Sequence, residues 1–496
     1  MLFPLIISPL IGVLLLVSTN KTINFILNFS LFWSLLIFLL SVLFTAFFDT
    51  TYPSFQFLSN LEWICGVNNF VTVGIDGLSM LMIILTTFLT PICIFLAFSM
   101  NASKKKIKNY LICFFALESI LLGVFASLDL LVFYILFEAI LIPMYFIVGI
   151  YGSRSRKVRA SYLLFIYTLF SSILMLLSII YIFINCGTTS LLILSGIHFE
   201  PVVETFCWIV FFLSFAVKTP LVPFHIWLPE AHCEAPTAGS VILAGVLLKL
   251  GGYGFIRFSL YLFPNACAFF SPFVFLVSVL GALYSSITTL QQVDLKKIVA
   301  YSSIGHMGIV TIGIFCFSVQ SIWGAIFLML AHALTSSGLF LCIGSLYDKY
   351  GTRILRFYGG LFHTAPLFST IFMIFSLANL GLPGTSNFVG EFLIFVNCFS
   401  VSSWLCLLSG SSLILSASYS LWVLNRLLFG NIKTWKRTQI LKSSNLAVHR
   451  WPLGFTDINR KEFRMFLPLI VLTIFIGIFP EFIMNLVKTS VFSKII

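Results

Sequence analysis

Apolar runs of about 17 or more residues, long enough for a helix to cross a bilayer, recur along nearly the whole chain, with only short stretches of Lys, Arg, Pro, Gly or Asn between them. In lipid every backbone N–H and C=O must find its partner inside the chain, which leaves helices or a closed barrel. Barrel strands alternate polar and apolar over about ten residues, and these runs do not. With 60% hydrophobic and 9% charged residues, against about 25% charged in a soluble domain, the chain cannot cover a water-facing surface. The expected fold class is an all-α polytopic membrane protein of about 14 transmembrane helices. The predicted spans are 2–19, 22–47, 78–99, 110–127, 130–150, 161–185, 206–227, 238–262, 269–290, 298–317, 321–346, 365–406 as one broken element, 409–429 and 465–488.

The first run lacks a basic start, its first cation being Lys21, and has no small-residue cleavage pattern, so it reads as a helix and not as a secretory signal. The eleven cysteines contain no Cys-x-x-Cys and sit singly in apolar runs, so they read as small core residues, and no redox centre is expected in this chain. Gly251-Gly252-Tyr253-Gly254 has no Lys-Ser/Thr after it and reads as helix packing, not a phosphate loop. The 57 phenylalanines fit an AT-rich genome of organellar kind.

Charge sets the orientation. Lys104-Lys105-Lys106, Arg154 to Arg159, Lys296-Lys297 and the 430–464 loop all fall on one face, while the opposite face holds more acidic than basic residues. By the bias of basic loops toward the cytoplasm or matrix, that face is the inner one and both termini lie outside. The net charge of +12 is thus read as a topology signal with some anionic-lipid contact, not as a nucleic-acid surface.

A few ionisable residues remain inside the runs: Glu118, Glu138, Lys218, Lys249 and Glu391, with His225, His306 and His332. Each charge at a helix centre costs roughly 2.5–3.5 kcal/mol on insertion scales, so they need a reason. Arg257 and Arg426, near helix ends, read as snorkelling or satisfied structural pairs. A lysine in a poorly hydrated cavity has its proton affinity lowered, and a nearby carboxylate raises it again. An approach or retreat of a few Å therefore makes the amine hold or release its proton, and histidines suit the positions between.

Two helices break where these charges sit. Lys218-Thr219-Pro220-Leu221-Val222-Pro223 interrupts the seventh predicted helix, and Gly381-Leu382-Pro383-Gly384 interrupts the twelfth just before Glu391. Unwound backbone at membrane depth is tolerated only when buried in protein or lining a watery cavity, as at transporter ion sites. Glu138 to Lys218 and His306 to Glu391 span nearly equal lengths. Five helices per unit would invert the second unit against the first, which divides the chain into N-terminal helices (1–109), a first repeat of helices 4–8 (110–262), an inverted repeat of helices 9–13 (263–430), and a basic loop with the last helix (431–496).

Phe137-Glu138-Ala139 with Leu141-Ile142-Pro143-Met144, the stretch from Lys218 through His225, His232 and Ser240 to Lys249, Asp294-Leu-Lys296-Lys297 running on to His306-Met307, His332-Ala333-Leu334, and Asp457 to Phe463 together resemble the antiporter-like membrane subunits of respiratory complex I. The likeness covers nearly the whole chain. Glu391, where sister subunits use lysine, the fourteen helices and the short tail after the last one narrow the likeness to one kind among these subunits, of the plant, algal or protist mitochondrial type. Residues 434–454 are a basic insertion foreign to the family, which leaves the role of that loop open. The resemblance implies a proton relay in which Glu138 pairs with Lys218, Lys249 is central, His306 and His332 extend the axis, and Glu391 lies toward the exit. Glu118, His225 and His232 are secondary candidates, and Pro220, Pro223, Gly381 and Pro383 mark the helix breaks. It further implies that NADH, FMN, iron–sulfur clusters and ubiquinone are bound by other subunits, with none in this chain. The implied partners are neighbouring antiporter-like subunits, small accessory membrane subunits, anionic phospholipid such as cardiolipin, and protons. The implied location is the mitochondrial inner membrane with basic loops toward the matrix, a bacterial plasma membrane being the alternative. A subunit of a stand-alone multisubunit cation/proton antiporter is the second functional reading.

Overall fold

The computed structural model describes residues 2–19, 21–62, 70–100, 102–432 and 455–495; the 434–454 insertion lies outside them. Its long helices are α1 (Phe3–Ser18), α2 (Ile23–Ala46), α3 (Gly77–Leu96), α4 (Lys104–Ala126), α5 (Leu130–Tyr151), α6 (Lys157–Cys186), α7 (Pro201–Lys218), α8 (Trp227–Glu234), α9 (Thr237–Leu262), α10 (Pro264–Gln291), α11 (Leu295–Phe315), α12 (Val319–Tyr350), α13 (Pro366–Leu380), α14 (Ser386–Val401), α15 (Ser403–Leu428), α16 (Arg460–Ile478) and α17 (Glu481–Ile495). Among the described residues eleven helices are long and apolar enough to cross a membrane, or twelve when α16 and the adjoining start of α17, bent by 73° at their junction, count as one. The expected fourteen is reached when α1 is counted as a crossing and the short α13 and α14 together as another. By length and composition alone the number is eleven or twelve.

Local chemistry sets the helix ends. Pro201, Pro264 and Pro366 open their helices, where the missing N–H costs nothing. Asp76, Asp129 and Asp294 accept from first-turn backbone N–H groups of α3, α5 and α11, where a carboxylate also faces the positive end of the helix dipole. The predicted twelfth helix stops at Val401, short of 406, because Ser402 is extended and its hydroxyl caps α15.

Between α2 and α3 the sequence pattern had suggested no regular element. The structure has an antiparallel hairpin, β1 (Gln56–Glu62) and β2 (Phe70–Ile75), with Gln56 opposite Ile75 and an irregularity between Gln56 and Ser59. Thr72, Val73 and Ile75 of β2 are all buried, so the strand is covered on both faces, and its β-branched residues suit a strand.

α9 and α12 are buried along their whole membrane windows. α9 packs on α3 and α12, and α12 also on α11, α13 and α14. Around this centre, α2, α6, α10 and α15 turn Phe32, Phe170, Phe269 and Ile414 outward, which suits hydrocarbon and would be a liability in water. Gly251 and Gly254 let α9 lie directly against Phe215 and Thr219 of the α7 end, and Gly252 faces the Met329 sulfur of α12; the glycine-rich stretch is a packing surface.

Candidate functional site

α7 ends at Lys218, a cation at the negative end of a helix dipole. The turn through Pro220 and Pro223 frees backbone groups, and nearby atoms satisfy them. Trp227 Nε1 donates to the Val217 carbonyl at 3.0 Å, the Leu221 N–H to that of Ala216 at 2.8 Å, and the Thr219 hydroxyl to that of Phe215 at 2.9 Å. Lys218 is 4% exposed. Its Nζ donates to the Phe137 carbonyl at 3.3 Å and lies 4.0 Å from the centre of the Phe137 ring. Glu138 is within electrostatic reach of that amine but forms no ion pair with it, and both its carboxylate oxygens are enclosed without a hydrogen-bond partner. The pairing implied by the resemblance is therefore not a contact in this structure: a ring and a carbonyl hold the ammonium, and the acid stands off.

Lys249 is fully buried in α9. Just before it, residues 243–247 widen into a π-helical turn, which releases carbonyls from the regular ladder. The Lys249 Nζ donates to one of them, that of Ala244, and approaches His332 Nδ1 at 2.9 Å. The rings of His332 and His306 are 5.4 Å apart. His306 Nδ1 then lies 3.2 Å from Glu391 Oε1, close enough for an ion pair though not aligned as a hydrogen bond. Lys249, His332, His306 and Glu391 thus lie in one buried file across α9, α12, α11 and α14, with no hydrogen bond between the two imidazoles. Beside His306 a small cavity of about 10 Å³ is lined by Ser285, Ser302, Ser412, Ser416 and Tyr419, room for about one water.

The second break supplies the end of this file. Gly381 closes α13 with φ +84, a conformation open to glycine, and a Cβ there would run into the Glu391 carboxylate. Pro383 and Gly384 carry the chain to the start of α14, where the Ser386 hydroxyl and both amide atoms of Asn387 are buried without partners. Those two polar groups escaped the sequence reading, although a Ser-Asn pair inside an apolar stretch was a visible signal.

Not every candidate joins the file. Glu118, fully buried in α4, accepts from the Thr90 hydroxyl at 2.8 Å, and its other oxygen has no partner. His225 faces Tyr284 and Tyr301. His232 stacks on Phe340 at 4.6 Å, with neither ring nitrogen hydrogen-bonded. Among the described residues no group of three or more His, Cys, Asp or Glu is placed to hold a metal ion.

One reading of the charges needs correction, and another gains its partner. Lys296-Lys297 is not one solvated basic run: Lys297 is partly exposed and pairs with Glu230 at 3.1 Å, whereas Lys296 is 2% exposed beneath the start of α9. One helical step turns the first lysine inward and the second outward. Arg257, read as a helix-end residue, is clamped in a fully buried bidentate pair with Asp76, at 2.9 and 2.6 Å, and its Nε donates to the Tyr253 hydroxyl at 3.1 Å. It is a satisfied structural pair, and Asp76 is the partner the sequence did not reveal.

Residues 127–416, more than half the chain, match the family described as the membrane part of NADH:quinone oxidoreductase and Mrp antiporters. The chain belongs to this family. It is 50% identical over 488 residues to the NADH-ubiquinone oxidoreductase chain 4 of Marchantia polymorpha, covering 98% of this chain and 95% of that one. The chain of respiratory complex I from Thermus thermophilus with bound NADH superposes with a TM-score of 0.87 at 28% identity, over 100% and 99% of the two chains. A chain of the Mrp complex from Dietzia superposes with a TM-score of 0.85 at 19% identity, over 99% and 97%. The antiporter-like fold is therefore common to both branches, and the resemblance to the complex I subunits of plants and algae extends over the full length. Within the family, the relative matched end to end is a chain 4.

Proposed function

We propose that this chain is the proton-translocating membrane-arm subunit 4 of NADH:ubiquinone oxidoreductase, driven by quinone reduction that takes place in other subunits. The observation that carries the reading is the buried file from Lys249 through His332 and His306 to Glu391, in a chain that matches a chain 4 relative end to end. A buried amine next to a neutral imidazole, followed by a second imidazole and a carboxyl, can pass a proton by successive N–H and O–H exchange without any group leaving its helix. Lys218 and Glu138 act as the switch at its head: when the carboxylate closes on the ammonium the proton is held, and when it stands off the proton is released toward Lys249. Glu391 delivers it toward the exit or the neighbouring antiporter-like subunit. Glu118 is a weaker member of the same set.

The division at 109, 262 and 430 into N-terminal helices, two inverted repeats and a C-terminal helix accounts for the two breaks as equivalent features. Basic loops face the matrix and both termini the intermembrane space of a mitochondrial inner membrane. Cardiolipin-like lipid and small accessory subunits cover the outward apolar faces, and flavin, iron–sulfur and quinone sites belong to other chains. A subunit of a stand-alone cation/proton antiporter shares the fold, as the Dietzia superposition illustrates, and co-purification with flavin and iron–sulfur subunits separates the two.

The deciding experiment uses the assembled complex in liposomes, with NADH-driven quinone reduction and proton uptake followed together. Lys218→Ala and Glu138→Ala are expected to keep electron transfer and lose protons per electron. An unchanged ratio in both defeats the relay.

A further inference from the structure

α9 begins where Lys296 reaches the Ala235 carbonyl and runs away from the basic loops toward the opposite face. On it Lys249, Tyr253 and Arg257 follow at steps of four residues, a stripe that leads along one helical face from the relay file to the far end. Arg257 stands about 12 Å along the axis beyond Lys249. Its guanidinium is 1% exposed and lies between two rings, 4.9 Å from the centre of Phe55 and 5.3 Å from that of Tyr253. The Asp76 carboxylate that clamps it is buried as well and is itself held by the Ser79 N–H at the start of α3, at 3.0 Å. None of these groups has a part in the relay described above.

Hydrogen-bond direction decides what this stripe can conduct. A hydroxyl passes a proton on when its oxygen can take one and its own O–H can be given to a group that will hold it. The Tyr253 hydroxyl donates to the Phe125 carbonyl at 3.0 Å, and its oxygen accepts from Arg257 Nε at 3.1 Å. A backbone carbonyl is only an acceptor of hydrogen bonds, and an arginine in a protein does not release its proton. Both connections are dead ends. The guanidinium, moreover, sits between Tyr253 and the Asp76 carboxylate, bonded to the latter at 2.9 and 2.6 Å. The pair therefore turns its positive end toward Lys249, where charges are poorly screened and a proton moving outward is repelled.

We propose, resting on the relay reading above, that Arg257 with Tyr253 and Asp76 forms a stop at the outward side of Lys249, so that a proton on Lys249 leaves along His332 and none returns to it from the far face. Arg257 makes the stop. Tyr253 and Asp76 are positioning residues: the hydroxyl fixes Nε, and the carboxylate fixes both Nη atoms. A subunit that builds a proton gradient needs such a closure, because a conducting stripe beside Lys249 would let the gradient run back through it. A lysine in place of Arg257 keeps a cation against Asp76, but its ammonium can give up a proton when desolvated. A histidine in place of Tyr253 accepts on one nitrogen and donates from the other, which turns the dead end into a conductor.

The test uses the assembled complex in liposomes without NADH and follows the proton flux driven by an imposed pH gradient. Arg257→Lys is expected to raise this resting leak several-fold over wild type, and combining it with Lys249→Met is expected to return the leak to the wild-type level. An Arg257→Lys complex as tight as wild type overturns the stop. A leak that survives in the double variant overturns it too, since the protons then pass around the file through loosened packing. Where Arg257→Lys fails to assemble, Tyr253→His is compared with Tyr253→Phe: a leak is expected in the first alone, and equal leaks in the two overturn the proposal. NADH-driven pumping by Lys249→Met separates the two readings. Wild-type protons per electron there defeat the relay and this inference with it, whereas lost pumping there beside a tight Arg257→Lys complex defeats the stop alone.

Discussion

Around the first helix break the ammonium of Lys218 rests over the Phe137 ring, and the Glu138 carboxylate beside it has no partner. Toward the second break, Lys249, His332, His306 and Glu391 follow one another with separations of 2.9, 5.4 and 3.2 Å, the middle one between ring centres. Both arrangements are buried and both sit at unwound or widened helix, yet one holds its opposite charges apart and the other chains its groups together. An aromatic face stabilises a cation without neutralising it, so the carboxylate keeps the freedom to approach. The file sets its groups in series instead, with the two imidazole rings side by side. On the relay reading proposed above, the contrast separates a gate from a wire.

The largest expected effect lies in the wire. Lys249→Ala removes the amine in contact with His332 and should lower proton transfer through this chain about 100-fold or more, read as protons per electron in the assembled complex. Glu138→Ala should be milder, about tenfold, because it removes one charge partner of the Lys218 amine and leaves the file itself intact. An effect equal to that of Lys249→Ala would erase the distinction. Phe137→Leu keeps the carbonyl but removes the ring, worth about 0.5–2 kcal/mol to a desolvated cation. A several-fold change in pumping rate is expected at unchanged stoichiometry, and none at all would mean the ring is mere packing. The smallest effect on pumping is expected for Gly381→Ala, whose cost of about 1–3 kcal/mol from a strained backbone falls on stability provided the Glu391 carboxylate moves aside for the added Cβ. It should appear as faster heat inactivation of the complex, and an unaltered inactivation rate would show that the turn adapts.

The helices, both breaks and the file members at Lys249, His306, His332 and Glu391 were legible because each violates an otherwise apolar run, and such violations are expensive in lipid. Arg257 stood out as well, but its partner did not, because Asp76 lies in a distant part of the chain and only packing brings the two together. Lys296 was hidden for another reason: at the first turn of a helix, beside Lys297, it has the same signature as a loop charge. The hairpin escaped because its short alternating segment is drowned by the long runs on either side. Pattern along the chain shows where a charge is out of place; it does not show what lies over it.

A Cβ at Gly477 in α16 would overlap the backbone of Thr385 in the second break. α16 is thus seated directly on the turn ahead of Glu391, with no side chain as cushion. Neither can shift alone: a displacement of the helix toward the turn would have to carry the backbone of Thr385 along with it.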